Sequence, residues 1–179
     1  MLLMPNKDWH WEFNEAYGQL SISLGSEMEF LTPYKAKLLI PDALSTSEFC
    51  VEHAKFYIAM LERLPKILKL SDAAIVQTAL NATAAHFLLK PQMPKSWFFE
   101  TSNECVYSEV GKLFNLKCNG ESVLVMVVDD SLQASTVMIL SHNCQLTESK
   151  LLQQFDTIKV MHDRLQPMRR MPAKQVVAA

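Results

Sequence analysis

Polar and apolar residues alternate with a period of two between residues 9 and 31: Trp9, Trp11 and Phe13, then Leu20, Ile22 and Leu24, then Met28 and Phe30. Successive side chains of a strand point to opposite faces, so each run predicts a strand with one apolar side. Tyr17-Gly18 and Gly25-Ser26 separate the runs and predict turns, which makes a three-stranded antiparallel meander. Thr32-Pro33 then reads as an N-cap followed by proline at the first helical position, opening a short helix that ends before Pro41.

The period lengthens after that. Ser45 and Glu48 have capping-box spacing, and Phe49, Phe56, Tyr57, Met60 and Leu64 recur at helical intervals up to Pro65, which is expected to end the helix. Ser71 is placed to cap a second helix with Ile75, Ala79, Ala82, Phe87 and Leu89 on its apolar side. This helix has to stop near Lys90, because Pro91 disfavours helical geometry in the residue before it and donates no hydrogen bond. Beyond Pro94 short strand-like runs take over, at residues 97–100, 105–110, 113–118, 123–128 and 136–140. Asn119-Gly120 predicts a hairpin turn and Asp129-Asp130-Ser131 another. Residues 155–165 fit either a helix or a strand, and the strand reading supplies one more partner for a sheet. The whole is an α+β pattern. Its parts are an N-terminal α/β domain over residues 1–96 (meander plus helix pair), a C-terminal small β-barrel-like domain over 97–168, and a flexible basic tail over 169–179.

Composition narrows the function classes. The 179 residues are 49% hydrophobic, enough for a substantial core, and 17 basic against 19 acidic residues leave a formal net charge of -2. A near-neutral chain has no overall field drawing it to nucleic acid or an anionic membrane, so electrostatic recognition has to be local. The apolar runs at residues 1–4 and 123–128 are too short for a membrane span, and no signal peptide is read. Four widely spaced cysteines (Cys50, Cys105, Cys118, Cys144) favour free thiols in a reducing compartment, consistent with cytoplasm. Cys50 and His53 with His142 and Cys144 have some character of zinc ligands, yet paired CxxC spacing is lacking and a small buried thiol explains Cys50 as well. His86 reads as a packed or capping histidine. No nucleophile elbow or glycine-rich phosphate loop occurs, so neither catalysis nor a cofactor is expected.

The candidate chemistry is cationic and aromatic. Lys90 and Lys95 sit on a connector stiffened by Pro91 and Pro94, which reduces the entropy lost when they engage an acidic partner. Trp97 and Phe98 follow, with Phe99; in a strand they alternate sides, one lining a pocket while the next enters the core. The plainer reading of Lys90 is a cation at a helix C-terminus. Arg164 can hold a partner carboxylate through two parallel hydrogen bonds or pair internally with Asp163. Beyond it Arg169, Arg170 and Lys174 make the tail basic. Trp97, Phe98, Phe99, Tyr107 and Phe114 would also serve as base-stacking platforms if exposed, which keeps a nucleic-acid-binding small barrel as the rival reading.

Several blocks, in this order and spacing, resemble the ZapC family: Pro41-Asp42-Ala43-Leu44 with Phe49-Cys50-Val51; Leu89-Lys90-Pro91-Gln92-Met93-Pro94-Lys95-Ser96-Trp97; and Ile158-Lys159-Val160-Met161 followed by Asp163-Arg164-Leu165. Pro5, Trp9 and Trp11 are similar to that family's N-terminus, while residues 101–145 and those beyond Pro167 resemble it weakly. The resemblance implies a monomeric, non-enzymatic, two-part protein recruited to the division site at midcell. It further implies direct binding of FtsZ, lateral association of FtsZ protofilaments and lowered FtsZ GTPase activity. The expected contact is the FtsZ C-terminal region, with its acidic linker and apolar anchors. Lys90, Lys95, Arg164, Trp97 and Phe98 are then the candidate partner-binding residues.

Overall fold

The alternating N-terminal runs form β1 (His10–Asn14), β2 (Gln19–Ser23) and β3 (Glu29–Lys35), paired antiparallel in the expected order. The coordinates are a computed structural model that describes residues 2–168, and the basic tail expected over 169–179 lies outside them. A two-residue strand, β4 (Ser47–Glu48), adds to the other side of β1, giving the order β3-β2-β1-β4. The short helix expected from Thr32-Pro33 does not form. β3 is an edge strand, where a proline that donates no hydrogen bond is tolerated, and its register with β2 slips near Gln19 and Ser21. The Thr32 hydroxyl is buried and donates to the Leu20 carbonyl at 2.7 Å instead of capping a helix.

Two helices follow, α1 (Val51–Ile67) and α2 (Asp72–Leu88). The capping box at Ser45 and Glu48 is not used, since Ser47 and Glu48 pair with β1 and α1 starts after Cys50 without a side-chain cap. Pro65 does not end α1 either. It removes one amide donor in the last turn, and the helix still closes with the Leu68 amide on the Leu64 carbonyl at 2.9 Å. The Ser71 cap is present, its side chain accepting from the Ala74 amide at 3.2 Å. In α2 nearly every face is buried: Ile75, Ala79, Leu80, Ala82 and Ala84 are all within the core. A helix that is apolar all round needs cover on every side. Its buried hydroxyls are satisfied locally, Thr78 on the Ala74 carbonyl and Thr83 on the Ala79 carbonyl, both at 2.7 Å.

The cover comes from both halves of the chain. The second sheet has the order β10-β7-β6-β5-β11, from β5 (Leu113–Cys118), β6 (Glu121–Asp130), β7 (Ala134–Ile139), β10 (Thr157–Met161) and β11 (Gln166–Pro167). A separate hairpin pairs β8 (Cys144–Thr147) with β9 (Lys150–Leu152). Asn119 and Gly120 make the expected hairpin turn with φ of 51° and 78°. Asp129 and Asp130 end β6 rather than turning; the turn lies just beyond, closed by the Ser131 amide on the Ala134 carbonyl at 2.9 Å. Residues 105–110 are not a strand, and 155–165 do contain one, β10. The architecture is α+β, but the second sheet stays open and forms no closed barrel.

Both faces of that sheet are buried, which explains the unbroken apolar run of β6. Leu124, Met126 and Val128 join α2 and the first sheet in one core, while Val123, Val125 and Val127 form a second core with Phe99, Phe114, Leu146 and Val160. Tyr34 pins the first core across the chain: fully buried, its hydroxyl donates to the Phe155 carbonyl at 2.8 Å. Among the described residues no helix is long and apolar enough to cross a membrane.

Tyr34→Phe should lower stability by about 1–2 kcal/mol, because it leaves the Phe155 carbonyl without its donor in a dry interior. A melt recorded against wild type should fall by several degrees; an unchanged Tm would show that another donor replaces the hydroxyl. His53 supplies a pH test. Burial and the neighbouring His86 push its pKa below the ordinary 6.5, and its Nδ1 accepts from Trp11 Nε1 at 3.0 Å, so the folded state holds the neutral ring. Below pH 6.5 the unfolded chain takes up this proton first, and stability should fall until the folded ring also protonates. His10, raised by the Asp8 carbonyl and Glu12, acts in the opposite direction but is about a third exposed, where solvent weakens the effect. His53→Asn retains an acceptor without a titration, so its Tm should fall less than that of wild type between pH 7.5 and 5.5; parallel curves would exclude His53 as the cause.

Candidate functional site

Residues 89–99 connect α2 to the second sheet, and their path is fixed by more than the two prolines. At one end the Lys90 amide donates to the Leu38 carbonyl at 2.8 Å, and the Ile40 amide donates to the Leu88 carbonyl at 2.9 Å. At the other the Lys95 amide donates to the Lys159 carbonyl at 2.8 Å, and the Ser96 hydroxyl accepts from the Met161 amide at 2.8 Å. Between them Gln92 Nε2 donates to the Thr157 hydroxyl at 2.8 Å. The connector therefore lies along the open edge of β10 and satisfies groups that a sheet edge would otherwise leave unpaired.

Ser96, Trp97 and Phe98 form a 3₁₀ turn, not the expected strand, closed by the Phe99 amide on the Ser96 carbonyl at 3.0 Å. The turn rather than strand alternation decides where the aromatics go. Trp97 is 70% exposed, Phe98 is half-buried against the second core, and Phe99 is inside it. Phe114 is core as well, so the aromatic residues do not make one continuous stacking surface. Arg164 braces the turn: its Nε donates to the Ser96 carbonyl at 3.1 Å and its Nη1 lies 2.8 Å from Asp163 Oδ1.

Two concavities open beside the connector. The larger, about 500 Å³, is flanked by Lys37, Lys95 and Lys150, with Leu38, Met93, Leu152 and Ile158 as apolar lining and Asp156 as its acid. The smaller, about 100 Å³, holds Lys90 and Lys159 with His86, Thr136 and Asp129. Gln92 contributes to both. The structure thus places Lys90 and Lys95 in adjacent concavities and brings Trp97 and Phe98 next to Lys95 along the chain. Arg164 lines neither concavity. Lys37 and Lys150 are the neighbours that the sequence did not reveal. Lys37 lies in the segment read as a helix, and Lys150 reaches the site on the β8–β9 hairpin, with its Nζ 5.1 Å from the Phe98 ring centroid.

The electrostatics of the larger cleft are unbalanced. Lys95 and Lys150 line the same cleft, and the proximity of Lys95, with burial, lowers the pKa of Lys150 from its usual range. Burial raises that of Asp156, opposed by the Gln153 amide that donates to its Oδ2 at 2.8 Å. Among the described residues none of the five lysines around the connector forms an ion pair with a carboxylate. An arrangement in which unpaired lysines outnumber the acids beside an apolar lining is suited to an anionic, partly apolar ligand. The zinc-ligand reading has no geometric support: His53 is engaged by Trp11, Cys144 is in the second core, and among the described residues no group of three His, Cys, Asp or Glu is placed to hold a metal.

Comparison with known proteins agrees over the whole chain. Family models described as "Cell-division protein ZapC, N-terminal" and "Cell-division protein ZapC, C-terminal" match residues 2–90 and 91–171, and so meet on the connector. A protein of Shewanella frigidimarina named Cell division protein ZapC is 74% identical over 179 residues, the full length of both chains. Proteins of the same name from Ferrimonas balearica and Aeromonas hydrophila are 41% identical over 179 residues and 34% identical over 167, covering 100% and 93% of each chain respectively.

Arg164→Ala should cost about 1.5–3 kcal/mol in stability, the range for a hydrogen bond from a charged group, and free the Ser96 turn. Arg164→Lys should fail to restore it, because a single ammonium cannot serve both the Ser96 carbonyl and Asp163 in the planar geometry of the guanidinium. Thermal melts and Trp97 fluorescence check both, and a wild-type Tm in the alanine variant would show that the turn stands without Arg164.

Proposed function

The chain belongs to the ZapC family of cell-division proteins, and we propose that it works there as a cytoplasmic, non-enzymatic monomer that binds FtsZ. The observation that carries this reading is the cleft in which Lys95 and Lys150 stand together with no ion-paired carboxylate, beside Leu38, Met93 and Ile158. Such a cleft fits an acidic segment with apolar anchors, the character expected of the FtsZ C-terminal region. Lys90, Lys95, Trp97 and Phe98 contact the partner in this proposal, and Arg164 holds the turn that presents the two aromatics.

Binding at this cleft places positive charge against an acidic polymer and reduces repulsion between neighbouring protofilaments. Lateral association, polymer stabilisation, lowered GTPase activity and recruitment to midcell follow from that role in the proposal. The near-neutral charge and the scattered aromatics favour it over a nucleic-acid-binding role.

The test is co-sedimentation with FtsZ polymers at low and moderate salt. Lys95→Asp should keep the wild-type Tm, because the side chain is only partly covered, and weaken FtsZ binding by about fivefold or more. Deleting the FtsZ C-terminal tail should abolish pelleting of the wild-type protein. Undiminished pelleting of Lys95→Asp would remove the cleft from the binding site, and undiminished pelleting with tail-less FtsZ would move the contact to the globular part of FtsZ.

A further inference from the structure

The connector separates two cationic concavities rather than bordering one. Lys90 and Lys159 share the smaller with Asp129, whereas Lys37, Lys95 and Lys150 share the larger with Asp156. Each therefore keeps more positive than negative side chains, the larger by the wider margin. The two are held at a fixed separation, because one end of the connector is bonded to Leu38 through Lys90 and the other to Lys159 of β10 through Lys95. Gln92 borders both, and its side chain is fixed on Thr157. Met93, which lines the larger concavity, is 80% exposed and offers a flexible apolar contact.

We infer that the site is two-pronged: it takes an extended acidic peptide lying across the connector, with one carboxylate in each concavity and an apolar side chain over Met93. This rests on the proposed reading of the connector as the partner-binding site and specifies the chemistry of what binds there. Four residues lie between Lys90 and Lys95, so their Cα atoms are at most about 18 Å apart, and two carboxylates five residues apart in an extended peptide have the same backbone reach. A ridge that is already rigid fixes both prongs before binding, so little ordering cost falls on the protein. Lys159 is assigned a direct role in this arrangement and Lys150 the leading one in the larger cleft.

The experiment uses the full-length protein and two labelled synthetic peptides of equal length, one with a glutamate on either side of a leucine, five residues apart, and one with a single glutamate. Fluorescence anisotropy should show the two-glutamate peptide binding about fivefold tighter, with a steeper dependence on salt. Lys159→Glu should erase that preference, and Lys150→Glu should weaken both peptides. Lys159→Gln, which keeps the stem and the fold, should give an intermediate preference. Equal affinity of wild type for the two peptides, or a preference that survives Lys159→Glu, would overturn the inference. The two readings fail separately: if Lys95→Asp still pellets fully with FtsZ, the site itself is wrong, whereas loss of pelleting in Lys95→Asp with an unaltered peptide preference in Lys159→Glu rejects only the second prong.

Discussion

The structure depends on covering α2. Its residues are apolar or small on almost every face, and a helix of that kind is stable in water only when other elements surround it. The N-terminal meander and α1 supply part of the cover, and β6 and β7 of the second sheet supply the rest through Leu124, Met126, Val128 and Met138. One core therefore runs through both halves of the chain, and the buried Tyr34 hydroxyl on the Phe155 carbonyl is its polar stitch. The many alanines of α2 let the surrounding backbones approach closely, while Thr78 and Thr83 bond inside the helix and place no demand on neighbours.

Once α2 is enclosed, the chain has to leave its end at Leu88 and reach the far sheet, and the route it takes creates the candidate site. The connector caps the edge of β10, which protects the sheet from pairing with another chain. The same bonds align Lys90 and Lys95 with lysines contributed by three other segments. A single device thus closes an exposed edge and builds a cationic surface. The stiffness of Pro91 and Pro94 matters less than the backbone bonds at both ends, since these would hold even a more flexible sequence in place.

Charge separates Arg164, which supports the connector turn, from the lysines of the cleft. Arg164 is neutralised by Asp163 and spent on the Ser96 carbonyl, whereas Lys95 and Lys150 repel each other. Repulsion between lysines in a surface cleft costs stability, and an anion bound there would offset it. Asp156 is the one acid lining this cleft, against three lysines, and burial raises its pKa.

The sequence by itself determined the periodic elements. The meander, the Ser71-capped helix and the Asn119-Gly120 hairpin rest on alternation, capping and turn chemistry, which act over a few neighbouring residues, whereas β10, equally readable as helix, was decided by its pairing with β7. It also carried the connector block and, through resemblance, the family. Only the tertiary structure decided that Pro33 sits in an edge strand, that Pro65 leaves α1 intact, that Ser96–Phe98 turns instead of extending, and that the second sheet stays open. In each case a local preference of about 1 kcal/mol or a single lost hydrogen bond was outweighed by long-range pairing and burial. Lys37 and Lys150 escaped the sequence for the same reason: they lie more than fifty residues to either side of Lys95, and no local rule links residues that meet only because a buried helix draws two sheets around itself.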